Sequence, residues 1–285
     1  MGRSAARLDG WQLTEDARRF DERAGGYVRA QPARNVLATI LADTIAGRWA
    51  DARRIFAWAL DGQDVVAVAL RTPPWPMAVA GVDDGTADAL LDAWLKVDPD
   101  LPGVSGEPAA ARAVGAAWVA RTGGRTRVAM SEAMHQLSAV TEPPRPAPGE
   151  LRDANEGDVP LLSQWEKAFR AEAGIGVNYE AEAAVRTRIA RGSQLLWVDG
   201  APVSTLAFSP QVAGTTRIGP VYTPPEFRSR GYASSAVAAL SRRALAAGAE
   251  RCMLLTDLAN PTSNKIYASV GFRRFADWEE HAFEL

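Results

Sequence analysis

The chain is poor in the side chains on which several kinds of chemistry depend. A single cysteine, Cys252, stands among 285 residues. That excludes an intrachain disulfide framework and a zinc site built from several thiolates, and it fits a reducing, cytoplasmic location. The two histidines, His135 and His281, lie far apart in sequence and suggest no histidine metal cluster. No stretch is long and apolar enough to span a bilayer, and the opening "MGRSAARLDGWQLTED" lacks the apolar core of a signal peptide. An excess of one charge is lacking too: 32 basic and 34 acidic side chains leave a formal charge of −2. Neither nucleic acid nor a membrane is therefore an expected partner.

What is present is a soluble globular composition, 47% hydrophobic and 23% charged, in a chain long enough for two domains of ordinary size. The clearest punctuation is "TEPPRPAPGE" (141–150), where four prolines resist both helix and sheet. It divides the chain into residues 1–140, a proline-rich linker at 141–149, and residues 150–285.

The second half reads most clearly. "DVPLLSQWEKAFRAEAG" spaces Leu161, Trp165, Phe169 and Ala173 along one helical face, and "YEAEAAVRTRIARG" follows as a second helix. "SQLLWVDGAPVSTLAFSP" sets two apolar runs around Asp-Gly, the signal of a hairpin. "TTRIGPVYT" is a strand, "RGYASSAVAALSRRALAAG" a long helix, "RCMLLTD" a buried strand and "PTSNKIYASV" a short helix. "FRRFADWEEHAFEL" closes with strand-like runs. The first half repeats this order more vaguely: a helix at 35–47, an Asp-Gly hairpin at 61–62, a strand at "WPMAVAG", helices at 86–97 and 108–123, and a strand at 125–136. The pattern predicts an α/β (α+β) fold, a mixed, mostly antiparallel sheet flanked by helices, with an internal duplication.

Chemistry concentrates where "PPEFRSRGYASSAVAAL" (224–240) passes into a helix. The first N–H groups of a helix lack intrahelical partners and carry the positive end of its dipole. Gly231, Ala233 and Ser234 leave those donors accessible to phosphate oxygens, and Arg228 and Arg230 add complementary charge. The bland alternative is a tight turn relieved by Gly231, with both arginines in water. Upstream, "GPVYTPP" puts a proline inside a strand, which calls for a bulge and leaves backbone groups at residues 221–223 for an extended amide ligand. Downstream, Asn260, Asn264 and Tyr267 fall on one helix face. A phenol there can protonate a departing thiolate, or it can simply pack.

Residues 150–285 resemble the GNAT superfamily of acyl-CoA-dependent N-acyltransferases. The Arg/Gln-x-x-Gly-x-Gly/Ala signature stands as Arg228-Ser229-Arg230-Gly231-Tyr232-Ala233 after "PEF", and a second signature as Asn260, Ser263, Tyr267 and Gly271-Phe272. The resemblance implies an acetyl-CoA (coenzyme A) site. Val221, Tyr222 and Thr223 would hold the pantetheine; Arg228, Ser229, Arg230, Gly231, Tyr232, Ala233 and Ser234 the pyrophosphate; Asn260 and Asn264 the cofactor arm. Tyr267 would be the general acid of an N-acetyltransferase acting on a primary amine, carried by a small molecule or a peptide, in a monomer or homodimer.

Two departures stand out. Many family members carry a glutamate on the strand before the phosphate loop as base, but "TTRIGPVYT" has no carboxylate; a water relay, Asp257, Glu172 or His281 remain as routes for the amine proton. The first half has "GVDDGTAD" where a phosphate loop would stand, so it reads as a degenerate GNAT-like domain. A non-catalytic acyl-CoA-binding or regulatory protein and a tandem-GNAT amide-forming acyltransferase of the mycothiol-synthase type are the competing functions. Cys252, inside an apolar run, reads as a core residue rather than a nucleophile.

Overall fold

The periodicities above become elements with identifiable starts and stops. The computed structural model describes residues 10–47, 53–174 and 180–285, so residues 1–9 of the stretch read for a leader lie outside it. The first half contains β1 (Trp11–Thr14), α1 (Ala17–Arg29), α2 (Asn35–Ile45), β2 (Ile55–Asp61), β3 (Asp64–Arg71), β4 (Met77–Ala80), α3 (Asp84–Trp94), β5 (Gly103–Gly106), α4 (Pro108–Thr122) and β6 (Arg125–Leu137). The second contains β7 (Glu150–Asp153), α5 (Val159–Glu172), α6 (Ala181–Ala190), β8 (Gln194–Asp199), β9 (Ala201–Phe208), β10 (Thr215–Tyr222), α7 (Tyr232–Ala246), β11 (Arg251–Asp257), α8 (Pro261–Val270) and β12 (Arg273–Glu284). Apart from short 3-10 turns, the order of helices and strands is the same in both halves. Both hairpin turns place their glycine, Gly62 and Gly200, at positive φ.

The chain forms two compact units: residues up to Ala133 with Ala276–Leu285, and Met134–Phe275. In the first, β1 to β5 run in sequence order and Glu279–Ala282 of β12 pair antiparallel with β5. In the second, the order is β7-β8-β9-β10-β11. Each run of five is antiparallel except for its last pair, β4 with β5 and β10 with β11. The proline-rich stretch is docked within the second unit. The Ala147 amide donates to Ser235 Oγ at 2.8 Å, and Trp197 Nε1 donates to the Pro148 carbonyl at 2.9 Å.

Alternation along the strands sends side chains to opposite faces of the second sheet. Leu195, Leu206, Ile218 and Leu254 join Val237 and Leu240 of α7, whereas Leu196 and Tyr222 join Leu162 and Trp165 of α5 and Val185 of α6. Cys252 belongs to the first of these clusters, and burial pushes its thiol up to about 11. It is a core residue.

The sequence pattern did not reveal β1, α1, β5 or β7. For β5 the cause is physical: "GVSG" has no β-forming profile because its neighbours come too close. A Cβ on Gly103 would stand 2.3 Å from the His281 carbonyl, and one on Gly106 2.8 Å from that of Val79. Glycine here is required by the strands on either side.

The first unit also buries an ion pair. Arg71 Nη1 donates to both Asp98 oxygens (2.5 and 2.6 Å), Arg71 Nε to the Trp75 carbonyl, and Trp94 Nε1 to Asp98 Oδ2. With Nε and Nη1 of Arg71 and both Asp98 oxygens bonded in a buried place, removing one partner strands the other. Asp98→Ala is expected to cost about 3–5 kcal/mol in urea denaturation, whereas Arg71→Met combined with Asp98→Leu recovers much of that loss.

Candidate functional site

A strand that leaves its neighbour creates the site. β10 stays antiparallel to β9 as far as Tyr222 opposite Thr205. Between Ile218 opposite Phe208 and Val221 opposite Leu206 the register shifts, three steps on β10 against two on β9. The bulge takes in Gly219, at φ +147°, and its cis bond to Pro220. On the other side, β10 pairs with β11 only through Thr215, Thr216 and Arg217, opposite Arg251, Cys252 and Met253. Beyond Arg217 the two strands part, and one backbone edge of β10 faces no ladder. Backbone donors and acceptors demand partners, so this edge suits an extended amide chain. Val221 and Thr223 are half-buried there, while Tyr222 is buried toward α5.

The edge leads into a loop that ends in α7. Arg228 and Ser229 are exposed, Ser229 at φ +63°. Arg230 is exposed, with no carboxylate partner among the described residues. Gly231 is the N-cap of α7 at φ +81°, and no side chain caps the helix. A Cβ on Gly231 would lie 2.7 Å from the Arg145 carbonyl of the docked proline-rich stretch. Glycine is thus fixed here twice, by backbone conformation and by a neighbour. Ala233 is half-buried, and Ser234 is buried with its hydroxyl on the Gly231 carbonyl at 2.9 Å. Tyr232 points the other way: its hydroxyl donates to Asp199 Oδ2 at 2.6 Å, the first cause of its raised pKa. The Tyr232 side chain thus anchors the start of the helix to the β8–β9 turn, and the exposed Arg228 and Arg230 stand just before the uncapped first turn.

The third part is α8, which packs against α7 and β11. Asn260 caps it, Oδ1 accepting from the Ser263 amide at 3.1 Å. Asn264 Oδ1 accepts from Thr256 Oγ1 at 2.6 Å, and Thr256 Oγ1 stands 3.5 Å from His135 Nδ1. Tyr267 lies one turn further along, half-buried, its ring edge-on to Phe272 at 6.1 Å. Its hydroxyl has no hydrogen-bond partner among the described residues, and burial pushes it up to about 12.

The residues considered for the amine proton are dispersed. Asp257 Oδ1 accepts from the Ala259 amide at 2.8 Å. His281 belongs to the first unit, buried, with Nε2 3.0 Å from Glu279, which also holds Arg112. Glu172 ends α5 and joins the site by a contact that sequence spacing did not reveal: Oε1 accepts from Tyr222 Oη at 3.0 Å and Oε2 from Arg228 Nη2 at 2.6 Å.

The family model described as "Acetyltransferase (GNAT) family" matches residues 161–272, which contain all three parts. These residues form a GNAT-family domain. No curated protein matches the chain. Among solved structures, a GNAT-family acetyltransferase from Colwellia psychrerythraea is 13% identical with a TM-score of 0.59, covering 96% of this chain and 99% of that one. A GCN5-related N-acetyltransferase from Sphaerobacter thermophilus is 15% identical with a TM-score of 0.59, covering 97% and 96%. A tandem GNAT protein from the clavulanic acid biosynthesis pathway is 12% identical with a TM-score of 0.61, covering 96% and 98%. At these identities the likeness establishes the fold alone, an architecture shared with the tandem GNAT protein.

The first half of that architecture is built differently at the matching places. β4 pairs with β3 through residues 78–80 and with β5 through residues 77–79, so neither edge is free. α3 begins with a capping box: the Asp83 carboxylate accepts from the Thr86 amide and Thr86 Oγ1 from the Asp83 amide. A carboxylate already occupies the place of an anion. In the GNAT domain the uncapped α7 depends on Gly231. Gly231→Ala is expected to destabilise the protein by about 1–2 kcal/mol for the left-handed conformation, with more from the Arg145 contact, read as a lowered thermal midpoint.

Proposed function

We propose that the chain is an acetyl-CoA-dependent N-acetyltransferase, with its one cofactor site in the second unit and a primary amine, on a small molecule or peptide, as acceptor. The observation that carries this reading is the parting of β10 from β11 beside an uncapped helix start. Acetyl-CoA is an amide chain ending in phosphates, and the features of the site match it in order. Val221, Tyr222 and Thr223 would pair with the pantetheine amides through the open edge of β10. Arg228, Ser229, Arg230, Gly231, Tyr232, Ala233 and Ser234 would receive the pyrophosphate, the backbone donating N–H bonds and the arginines charge. Asn260 and Asn264 would flank the arm from α8. Gly231 supports the fit, since a side chain there would meet the Arg145 carbonyl and crowd the approach. When bound, the cofactor supplies an activated thioester.

The chain's own contribution is placement and proton supply. Backbone amides at the bulge of β10 are fixed dipoles able to stabilise a developing oxyanion. Tyr267, with its hydroxyl unclaimed, is the general acid for the departing thiolate. A pKa near 12 makes it a weak acid in water. The same burial raises the basicity of a thiolate beside it, so the proton transfer stays balanced. With no carboxylate on "TTRIGPVYT", the amine enters as its free base or loses its proton to water. In the first unit, the paired β4 and the self-capped α3 support the reading that it has lost the cofactor site and acts as scaffold.

Tyr267→Phe is expected to lower kcat by roughly 10²–10⁴-fold with the coenzyme A Kd nearly unchanged, measured by turnover on an amine panel and by calorimetry. Equal loss of binding would sink the general-acid role; coenzyme A binding without any acetyl transfer by the wild type would favour the regulatory alternative. Calorimetry is also expected to return one coenzyme A per chain. Because its folded pKa is raised, Tyr267 keeps its proton throughout pH 7–10, so log kcat should show no downward limb from this residue in that range. An alkaline limb present in the wild type and abolished by Tyr267→Phe would contradict that.

A further inference from the structure

Glu172 is the one acid of α5 that reaches the cofactor loop. Its oxygens divide between two partners, Tyr222 Oη at 3.0 Å and Arg228 Nη2 at 2.6 Å. Arg228 is held at a second point as well, Nε donating to the Thr223 carbonyl at 2.9 Å, and its guanidinium carbon lies 5.8 Å from the centre of the Tyr222 ring. Two of the three guanidinium nitrogens are thereby fixed, and Nη1 has no partner among the described residues. The pair is nearly half exposed, 45% for Arg228 and 46% for Glu172. Pairs so exposed add little to stability, so orientation rather than stability is what this contact supplies.

We infer that Glu172 is a positioning residue for the phosphate-binding arginine: with Thr223 and Tyr222 it locks the Arg228 guanidinium so that Nη1 faces an anion at the start of α7. The inference rests on the cofactor reading above. An arginine on an exposed loop loses side-chain freedom when it grips phosphate, and one already held loses less. The Glu172 carboxylate is taken up by Arg228 Nη2 and the Tyr222 hydroxyl, which leaves Nη1 to the anion. If the carboxylate instead competed with phosphate for Arg228, its removal would strengthen cofactor binding. The two roles predict opposite signs.

Calorimetric titration of the full chain with coenzyme A separates them, using wild type, Glu172→Gln, Arg228→Gln and the double variant. Glu172→Gln is expected to raise Kd about five- to tenfold, with its thermal midpoint unmoved. In the Arg228→Gln background it should add nothing, the signature of a residue acting through its neighbour. In steady state the loss should fall on the KM for acetyl-CoA, in contrast to the kcat loss of Tyr267→Phe. Unchanged or tighter binding by Glu172→Gln, or full additivity in the double variant, overturns the positioning role. A wild type that takes up no coenzyme A overturns the cofactor reading itself, a result distinct from either of those.

Discussion

The second unit depends on a parallel pair of strands that stops being a pair. After Arg217 and Met253, β10 keeps its ladder with β9 but gives up its ladder with β11. Main-chain polar groups are costly to leave without partners. An open edge inside a folded unit therefore persists only because the surrounding framework holds it, and it fits a ligand that brings its own amides. The bulge at Gly219 and Pro220 lets β10 follow β9 while turning away from β11. The loop beyond it then delivers the chain to α7, whose first turn has donors but no capping side chain. Open edge and uncapped helix form one path because they are consecutive in the chain.

The two halves satisfy corresponding strands and helix starts differently although the order of elements is shared. β4 is four residues long and paired on both sides; β10 is eight and paired on one side over most of its second half. α3 satisfies its own start with Asp83 and Thr86, whereas α7 starts at a glycine with arginines before it. Helix N-termini prefer either an internal acceptor or an external anion. The sequence chooses between them in the few residues at each helix start, "GVDDGTAD" in one half and "RSRGYASS" in the other.

Much of the candidate site was legible because its parts are local. The Arg-x-x-Gly-x-Ala turn, the proline within a strand, the asparagine cap and the Asn264 and Tyr267 face of α8 are short-range patterns, and the elements they mark stand where the pattern puts them. The contacts missed are long-range. Glu172 meets Arg228 across 56 residues, Ala147 meets Ser235 across 88, and Thr256 meets His135 across 121. No spacing rule links such residues, because only strand order and helix packing bring them together. The same holds for β5, whose glycines answer to backbones of β4 and β12 rather than to strand propensity.

By itself the sequence determined the alternation of helices and strands, the repeated order in the two halves, the exclusion of a disulfide within these 285 residues, and the chemical character of each helix start. These follow from periodicity, turn chemistry and capping, which act over a few residues. Tertiary structure decided where β10 leaves β11, which carboxylate holds Arg228, why position 231 admits no side chain beside the Arg145 carbonyl, and that the last ten residues join the first unit. Each of these depends on which distant segments come to lie side by side, and that is set by burial of whole faces of the sheet rather than by any local rule.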